Sequence, residues 1–251
     1  MTDSLEPLTR EQFERVANSC GTDKAGWHAY QRFYPLVLSQ IDRSSAFTVI
    51  EMGYGNGASI NLWKTFFPNS FLICIDRDVS EQGDGFVVVR ADQGDPDAIL
   101  AAIGEPLNPV RLIVDDGSHH PSHQLSCLSL LLGAVLDFGG FYIIEDIETS
   151  YWLAGDLYGY QLRYGMLCRW SAVEALKLAI DYMNRSFLDP QDKSMLEYSL
   201  MMAGLSPASV GLIGSITFGQ NCALIGKACQ GDDILMTREY PYSQFTRRGQ
   251  G

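Results

Sequence analysis

The segment IVDDGSHHPSH, residues 113–123, places two aspartates and three histidines directly after an apolar run. Carboxylates bind divalent cations, and an imidazole with an ordinary pKa of about 6.5 can accept a proton near neutral pH. His119 and His123 would share one face of a helix, as in some zinc sites. Pro121 lies between them and favours a helix that begins near Pro121 or Ser122. We therefore expect His119 in a loop and His123 in a first helical turn, with a two-histidine zinc site as the weaker alternative.

Acidic residues also follow other apolar runs that we interpret as strands. These runs are TVIEMG (48–53), FLICID (71–76), GFVVVRAD (85–92), RLIVDD (111–116) and FYIIED (141–146). Their continuous Val- and Ile-rich character is typical of parallel strands that are covered on both faces. Ligands of open α/β sheets bind outside the carboxyl ends of the strands, so the acidic residues should converge on one rim.

Asp116, Glu145 and Asp146 would lie at the ends of neighbouring strands, which are about 4.8 Å apart. Three carboxylates so close would repel one another unless a cation lay among them, and oxygen ligands suit Mg²⁺ or Mn²⁺. The alternative is that some of them cap helices or pair with Lys and Arg. With a metal present, His119 would accept the proton of a substrate hydroxyl that the metal makes more acidic.

The stretch EMGYGNGAS, residues 51–59, follows one strand and precedes a helix, and its glycines fit the loose dinucleotide pattern. Glu51 would repel a pyrophosphate but attract a cationic ammonium or sulfonium group, which favours S-adenosylmethionine. Asp76 could accept hydrogen bonds from ribose hydroxyls, and Asp92 with Gln93 could bind an adenine amino group. The alternative is that these acids only begin loops or cap helices.

Composition restricts the class of protein. The 251 residues are 46% hydrophobic, which is enough for one large α/β domain. A net charge of −12 argues against nucleic acid and against anionic membrane surfaces as partners. The start of the chain has no features of a secretory signal, so we expect a cytoplasmic protein. The six cysteines form no C-x-x-C pair, which indicates free thiols rather than disulfides or a zinc site.

The alternation of strands with helical patterns predicts a doubly wound, Rossmann-like sheet of seven strands within a single domain, 1–251. Helical patterns cover residues 59–67, 96–103 and 123–136. The runs LIGSITF (212–218) and CALIGKA (222–228) predict a C-terminal antiparallel hairpin. We expect residues 1–45 to form an N-terminal helical cap and residues 231–251 to be a loosely held polar tail. Residues 151–205 form an insertion that is either a lid for substrate recognition or a connecting helix with an oligomer contact.

DDGSH before an apolar helix, and then GGFYIIEDIETSYW (139–152), resemble metal-dependent O-methyltransferases that modify sugars on macrolide antibiotics. The cephalosporin hydroxylase family shares much of this pattern. Residues 20–38, 51–70, 90–95 and the hairpin also match. The resemblance implies a class I fold that binds S-adenosylmethionine.

The resemblance also implies roles for individual residues. Its metal ligands fall on Asp116, Glu145 and Asp146, and its general base falls on His119. The expected cofactor-binding residues are Thr22, Lys24, Glu51, Gly53, Ser59, Asp76, Asp92, Gln93 and Asp115. It implies methyl transfer to a hydroxyl of a small natural product, and homo-oligomerisation is common in the family. The alternatives are a metal-dependent hydrolase or hydroxylase-like enzyme and a non-catalytic protein that binds the cofactor.

Overall fold

The computed structural model describes residues 7–232. The first six residues of the predicted cap and nearly all of the predicted polar tail therefore lie outside the described residues. The α-helices are α1 Arg10–Cys20, α2 Asp23–Gly26, α3 Tyr34–Leu38, α4 Ala58–Phe66, α5 Pro96–Ile103, α6 Pro121–Ala134, α7 Ala172–Met183, α8 Pro190–Met202 and α9 Pro207–Val210. The strands are β1 Thr48–Met52, β2 Phe71–Asp76, β3 Glu81–Gly83, β4 Phe86–Arg90, β5 Val110–Asp115, β6 Leu136–Glu145, β7 Gly155–Leu157, β8 Tyr160–Leu162, β9 Ile213–Gly219 and β10 Cys222–Lys227.

Within residues 7–232 the main sheet has eight strands in the order β3-β4-β2-β1-β5-β6-β10-β9. The strands from β4 to β6 run parallel, and β10 and β9 close the sheet as an antiparallel pair. The predicted doubly wound sheet and its seven strands are confirmed. The eighth strand, β3, pairs antiparallel with β4 at the edge. Its sequence EQG has no apolar period, so the sequence contains no signal for it.

The sheet lies between two apolar layers, and its central strands are therefore buried on both faces. All five residues of β1 are buried. On one face α5, α6, α7 and α8 contribute to a core that includes Leu128 and Leu176, and on the other face α1 and α4 contribute Phe13 and Trp63. Every one of the six cysteines, all within the described residues, is a free thiol, as predicted.

The N-terminal helices are fixed to the sheet by local capping and by aromatic packing. Thr9 caps α1 in a reciprocal hydrogen-bonding pair with Gln12, and Thr22 caps α2 by accepting from the backbone N–H of Lys24 at 3.4 Å. The ring of Tyr34 stacks against Trp63 of α4, with ring centroids 5.9 Å apart. These contacts hold the side chain of Lys24 over the carboxyl ends of β1, β5 and β6.

Residues 151–205 contain two different kinds of structure. The strands β7 and β8 form a separate two-stranded hairpin, whereas α7 packs into the main core through Leu176 and Ala179. The backbone N–H of Tyr164 donates to the carbonyl of Trp152 at 2.9 Å and closes the base of the hairpin. A role as a lid stays a prediction. Across residues 7–232, no helix is both long enough and apolar enough to span a membrane.

Candidate active site

A cavity of about 800 Å³ lies at the carboxyl ends of the parallel strands, a size that is typical of small-molecule sites. It is lined by many of the residues that the sequence singles out: Thr22, Lys24, Gly53, Ser59, Asp76, Gln93, Asp116, His119 and Asp146. Glu51, Asp115 and Glu145 are buried behind this lining. Asp92 does not line the cavity, but its carboxylate accepts a hydrogen bond at 2.5 Å from Tyr160, which does. The predicted convergence on one rim therefore holds.

Gly53 is required where the glycine loop crosses the end of β5. Its φ is +90°, a conformation that side chains disfavour, and a Cβ atom there would lie 2.0 Å from the backbone oxygen of Asp116. The close approach joins the glycine loop to the DDGSH segment. The glycine loop and Asp116 therefore form one continuous wall of the cavity.

Asp76 at the end of β2 organises two loops. One carboxylate oxygen, Oδ2, accepts from the backbone N–H of Tyr54 at 3.1 Å. The other, Oδ1, accepts from the backbone N–H groups of Asp78 and Val79 at 2.8 and 3.1 Å. The carboxylate thus fixes the loops after β1 and β2 while it lines the cavity, and binding of ribose by Asp76 stays a prediction.

Glu51 is 1% exposed and stabilises the start of α4. Its Oε2 accepts from the hydroxyl of Ser59 at 2.5 Å and from the indole N–H of Trp63 at 3.0 Å. Burial raises its pKa above the ordinary value, although Lys24 at 3.3 Å opposes that shift. The predicted cofactor residues Glu51 and Ser59 therefore bind each other in this structure.

Lys24 is a buried cation among three carboxylates, of which Glu51 and Glu145 are buried and Asp116 is partly exposed. Its ammonium lies 2.6 Å from Oδ2 of Asp116, 3.0 Å from both carboxylate oxygens of Glu145 and 3.3 Å from Oε1 of Glu51. Burial alone would lower the pKa of Lys24, but the three carboxylates raise it well above its ordinary value. Burial and the neighbouring Asp116 raise the pKa of Glu145, whose carboxylate also accepts a hydrogen bond from Tyr34. Two of the three predicted metal ligands are therefore bridged by a lysine.

Asp146 is held by a separate set of donors. Its Oδ1 accepts from the hydroxyl of Tyr30 and the side-chain amide of Asn221, each at 2.7 Å, and lies 3.1 Å from Nδ1 of His28. Burial would raise the pKa of Asp146, but His28, His119 and Tyr30 together lower it. Hydrogen bonds to Asp146 and then to Asp23 raise the pKa of His28 to about 10. Because these donors all contact Oδ1, the second carboxylate oxygen, Oδ2, remains free to face His119.

Asp116, His119 and Asp146 form the group whose geometry suits a metal ion. Each offers one ligand atom, and these atoms all lie within 4.8 Å of one another. Nε2 of His119 is 3.5 Å from Oδ2 of Asp146, and its buried Nδ1 has no hydrogen-bond partner within residues 7–232. Two carboxylates and an imidazole are donors that Mg²⁺, Mn²⁺ and other divalent cations accept. The carboxylate of Glu145 lies outside this group, and its role as a ligand stays a prediction.

His119 and Asp146 both adopt left-handed backbone conformations, with φ of +53° and +52°. Non-glycine residues rarely do so, and such strain persists where surrounding contacts enforce it. At His119 the backbone carbonyl accepts a hydrogen bond from the hydroxyl of Thr149 at 2.6 Å. The two loops that carry the site are thus tied to each other.

Behind the cavity, Asp115 is fully buried, which raises its pKa to about 6. It accepts from the side-chain amide of Gln93 at 2.7 Å and from the hydroxyl of Tyr142 at 3.0 Å. The other end of Gln93, Oε1, accepts from the backbone N–H of Ser118 at 2.7 Å. Gln93 therefore connects the loop after β4 to the DDGSH segment.

The predicted start of α6 at Pro121 is confirmed, which places His119 before the helix and His123 in its first turn. Nδ1 of His123 is 3.0 Å from the hydroxyl of Ser118, and its ring lies 4.5 Å from the ring of His120. Burial and then the charge of His120 lower the pKa of His123 to about 4. His119 and His123 therefore do not share a helical face, and within residues 7–232 the potential metal group that contains His119 has Asp116 and Asp146 as its other members.

Sequence reasoning missed His28, Tyr30 and Asn221, which hold Asp146, and the hairpin residues Tyr158 and Tyr160. His28 and Tyr30 lie with Lys24 in residues 20–38, the segment that matches the family, so the resemblance points to them. Asn221 had no such signal, because its residue type and its place in the turn between β9 and β10 look like ordinary turn chemistry.

Comparison with known proteins identifies relatives among O-methyltransferases. The 8-demethyl-8-alpha-L-rhamnosyl tetracenomycin-C 2'-O-methyltransferase of Streptomyces olivaceus is 36% identical over 143 residues, which cover 53% of this chain and 37% of the relative. The L-olivosyl-oleandolide 3-O-methyltransferase of Streptomyces antibioticus is 33% identical over 161 residues, 60% of this chain and 40% of the relative. This chain resembles sugar O-methyltransferases. The predicted resemblance is confirmed, and the chain spans less than half the length of either relative.

The fold is shared with the MycE methyltransferase from the mycinamycin biosynthetic pathway. A MycE structure in complex with Mg and SAH has a TM-score of 0.71 and 23% identity, covering 94% of this chain and 59% of that chain. A complex of MycE with Mg, SAH and mycinamycin VI has a TM-score of 0.69 and 21% identity, covering 88% of this chain and 55% of that chain. No protein-family model matches the chain. The likeness confirms the methyltransferase fold.

Proposed function

We propose that the chain catalyses metal-dependent transfer of a methyl group from S-adenosylmethionine to a hydroxyl of a small natural product that carries a sugar. The observation that supports this most directly is the group of Asp116, His119 and Asp146 in a cavity whose wall is the glycine loop. The relatives with about one third identity act on sugar hydroxyls of tetracenomycin and oleandolide compounds, according to their names.

Asp116 and Asp146 would hold the metal ion, and Glu145 is the third ligand that the sequence motif predicts. Glu145 can reach a shared ion only if Lys24 gives up its place between Glu145 and Asp116. When bound, Mg²⁺ or Mn²⁺ supplies a Lewis acid that lowers the pKa of an acceptor hydroxyl, and S-adenosylmethionine supplies an electrophilic methyl group.

His119 is the proposed general base. It lines the cavity, and Nε2 is the nitrogen at which it would hold the proton taken from the acceptor hydroxyl. Oδ2 of Asp146, 3.5 Å away, would stabilise the imidazolium that results. The enforced backbone conformation of His119 aims the ring before any acceptor arrives, which lowers the cost of orientation.

For the cofactor we propose contacts from Thr22, Gly53, Ser59, Asp76 and Gln93, which line the cavity. Lys24 and the buried Glu51 and Asp115 would act mainly by fixing that lining, and Asp92 would act at the adenine end of the cavity. The partner would be a small hydroxylated molecule, as expected from the sequence. A cytoplasmic location, homo-oligomerisation and the exclusion of nucleic acid stay predictions.

The test is calorimetric titration of S-adenosylmethionine into chelator-stripped protein, repeated with Mg²⁺ and with the Asp76→Ala variant. We expect micromolar binding that Asp76→Ala weakens at least about tenfold, because the loops after β1 and β2 lose their common acceptor. Transfer of a radiolabelled methyl group to the rhamnosylated tetracenomycin would then establish the activity. Absence of binding with and without Mg²⁺ would contradict the proposal and favour a hydrolase-like metal enzyme.

A further inference from the structure

The turn of the β7–β8 hairpin contains an unusual residue. Leu157 pairs with Tyr160, so Tyr158 and Gly159 form a two-residue turn. Both have positive φ, +52° and +86°. That geometry corresponds to a type I′ turn, in which Asn or Gly normally occupies the first position. A tyrosine there costs free energy that asparagine would not, so the fold alone does not explain this side chain.

The ring of Tyr158 lies at the site rather than away from it. Tyr158 lines the same cavity as His119, and the centroids of the two rings are 6.0 Å apart. The side chain nevertheless remains 57% exposed, so its ring face is available for contact. Trp152 and Leu157 line the cavity on the same segment and extend this apolar wall.

The hairpin is held in place at several points. The guanidinium of Arg77 donates to the backbone carbonyl of Tyr158 at 2.8 Å, and the hydroxyl of Tyr160 donates to Asp92 at 2.5 Å. Nε2 of His120 lies 3.2 Å from the carbonyl of Gln161. These bonds join the hairpin to the loops after β2, β4 and β5, so the backbone that carries Tyr158 is fixed against the site.

We propose that Tyr158 is the platform on which the sugar ring of the acceptor lies, with the reacting hydroxyl directed towards His119. A pyranose presents a face of C–H groups that packs on an aromatic ring, while its hydroxyls point outward from the ring edge. The rings of Tyr158 and His119 are tilted by 51° to each other, with centroids 6.0 Å apart. A sugar lying flat between two parallel rings would need about 7 Å, twice a van der Waals contact of roughly 3.5 Å. A sugar whose face packs on Tyr158 would instead meet the tilted ring of His119 with its edge.

This assignment rests on the proposed function for the identity of the acceptor, but sugar binding can be measured without methyl transfer. The probe is methyl α-L-rhamnopyranoside, and the readout is saturation transfer from the protein to its ring protons by NMR. The wild type should saturate those protons, and Tyr158→Phe should retain the effect because the ring remains. Tyr158→Asn should reduce saturation at least fivefold while its melting temperature stays equal or rises, since asparagine suits the turn. Tyr198→Gln, at an exposed tyrosine on α8, is the matched control and should behave as the wild type.

Unchanged saturation in Tyr158→Asn would overturn the assignment, and so would the absence of saturation in a wild-type protein that binds S-adenosylhomocysteine. The cofactor titration separates this failure from failure of the proposed function. If Tyr158→Asn loses the saturation while the wild type does not bind S-adenosylhomocysteine, the assignment of Tyr158 as the sugar platform stands and the proposal of methyl transfer fails.

Discussion

The ammonium of Lys24 lies 2.6 Å from Oδ2 of Asp116, a residue 92 positions later in the chain. The contact joins the N-terminal helices to the end of β5, and it places a positive charge beside two further carboxylates, the buried Glu51 and Glu145. In a buried cluster of this kind the loss of one charge leaves its partners uncompensated. The N-terminal segment is therefore part of the site and not only a cover for it.

Replacement of Lys24 by methionine should destabilise the protein at pH 7.5 by about 3–5 kcal/mol, because three carboxylates lose their common cation. Urea unfolding followed by circular dichroism measures this change. Lys177→Met is the matched control, since Lys177 pairs with Glu174 at 2.7 Å on an exposed helix face and should change stability by less than about 1 kcal/mol. Equal effects of the two substitutions would show that the buried cluster adds nothing to stability.

Two glycines of one loop should respond very differently to alanine. Gly53→Ala should cost at least about 3 kcal/mol or prevent folding, since a Cβ would meet the backbone oxygen of Asp116 at 2.0 Å in addition to the strain at φ +90°. Gly55 has φ +54°, and a Cβ added there would meet no atom of residues 7–232 within 4 Å, so Gly55→Ala should cost only about 1 kcal/mol. The melting temperatures of both variants give the comparison. A Gly53→Ala protein as stable as Gly55→Ala would contradict the close approach.

The sheet was predictable from the sequence because its strands are continuous apolar runs. The convergence of the acidic residues on one edge of the sheet was predictable because these residues come at the carboxyl ends of the strands. What the sequence could not give is the direction in which each acid points. Asp116 and Asp146 face the cavity, whereas Glu145, adjacent to Asp146, faces Lys24 and Tyr34. Glu145 is the last residue of β6, whereas Asp146 lies beyond the strand in a left-handed conformation, so motif position alone does not decide which carboxylates share a ligand.

The hairpin was harder to predict for a physical reason. Residues 155–162 pair over only three positions on each side, and their turn Tyr158–Gly159 lacks the usual asparagine. Neither periodicity nor turn chemistry therefore indicates two strands there. The placement of Tyr158 and Tyr160 at the cavity depends on bonds to Arg77 and Asp92, which are distant in sequence.

The pH dependence of stability should carry a contribution from His123. Its pKa falls from 6.5 to about 4 on folding, mainly by burial, so the unfolded chain binds the proton more tightly. Its contribution is complete above pH 6.5 and is lost as the pH falls from 6.5 towards 4. His123→Asn should therefore show a smaller loss of stability between pH 7.5 and pH 5 than the wild type, as measured by urea midpoints. The acids with raised pKa values are present in both proteins, so a difference in slope reports His123, and parallel slopes would refute the assignment.

The metal ligands can be separated by titration of Mn²⁺, followed by its electron paramagnetic resonance signal. Asp116→Asn and Asp146→Asn should each weaken Mn²⁺ binding at least about tenfold, because each removes a charged oxygen ligand. Glu145→Gln tests whether Glu145 is a metal ligand, as the sequence motif predicts, or only a partner of Lys24, as the structure places it. A comparable loss would place Glu145 in the ligand set with Lys24 displaced, whereas unchanged affinity would leave its carboxylate with Lys24 and Tyr34.

His119→Ala should lower turnover at least about 100-fold, since the acceptor hydroxyl loses the group that takes its proton. Affinity for S-adenosylhomocysteine should stay within about twofold, because the proposed cofactor contacts lie on other residues. Tyr198→Ala, at an exposed tyrosine on α8 that does not line the cavity, is the control and should leave turnover unchanged. Single-turnover rates and Mn²⁺ affinity are measured on the same samples. A turnover loss with intact Mn²⁺ binding identifies His119 as the base, a parallel loss of Mn²⁺ binding identifies it as a ligand, and unchanged turnover removes it from the mechanism.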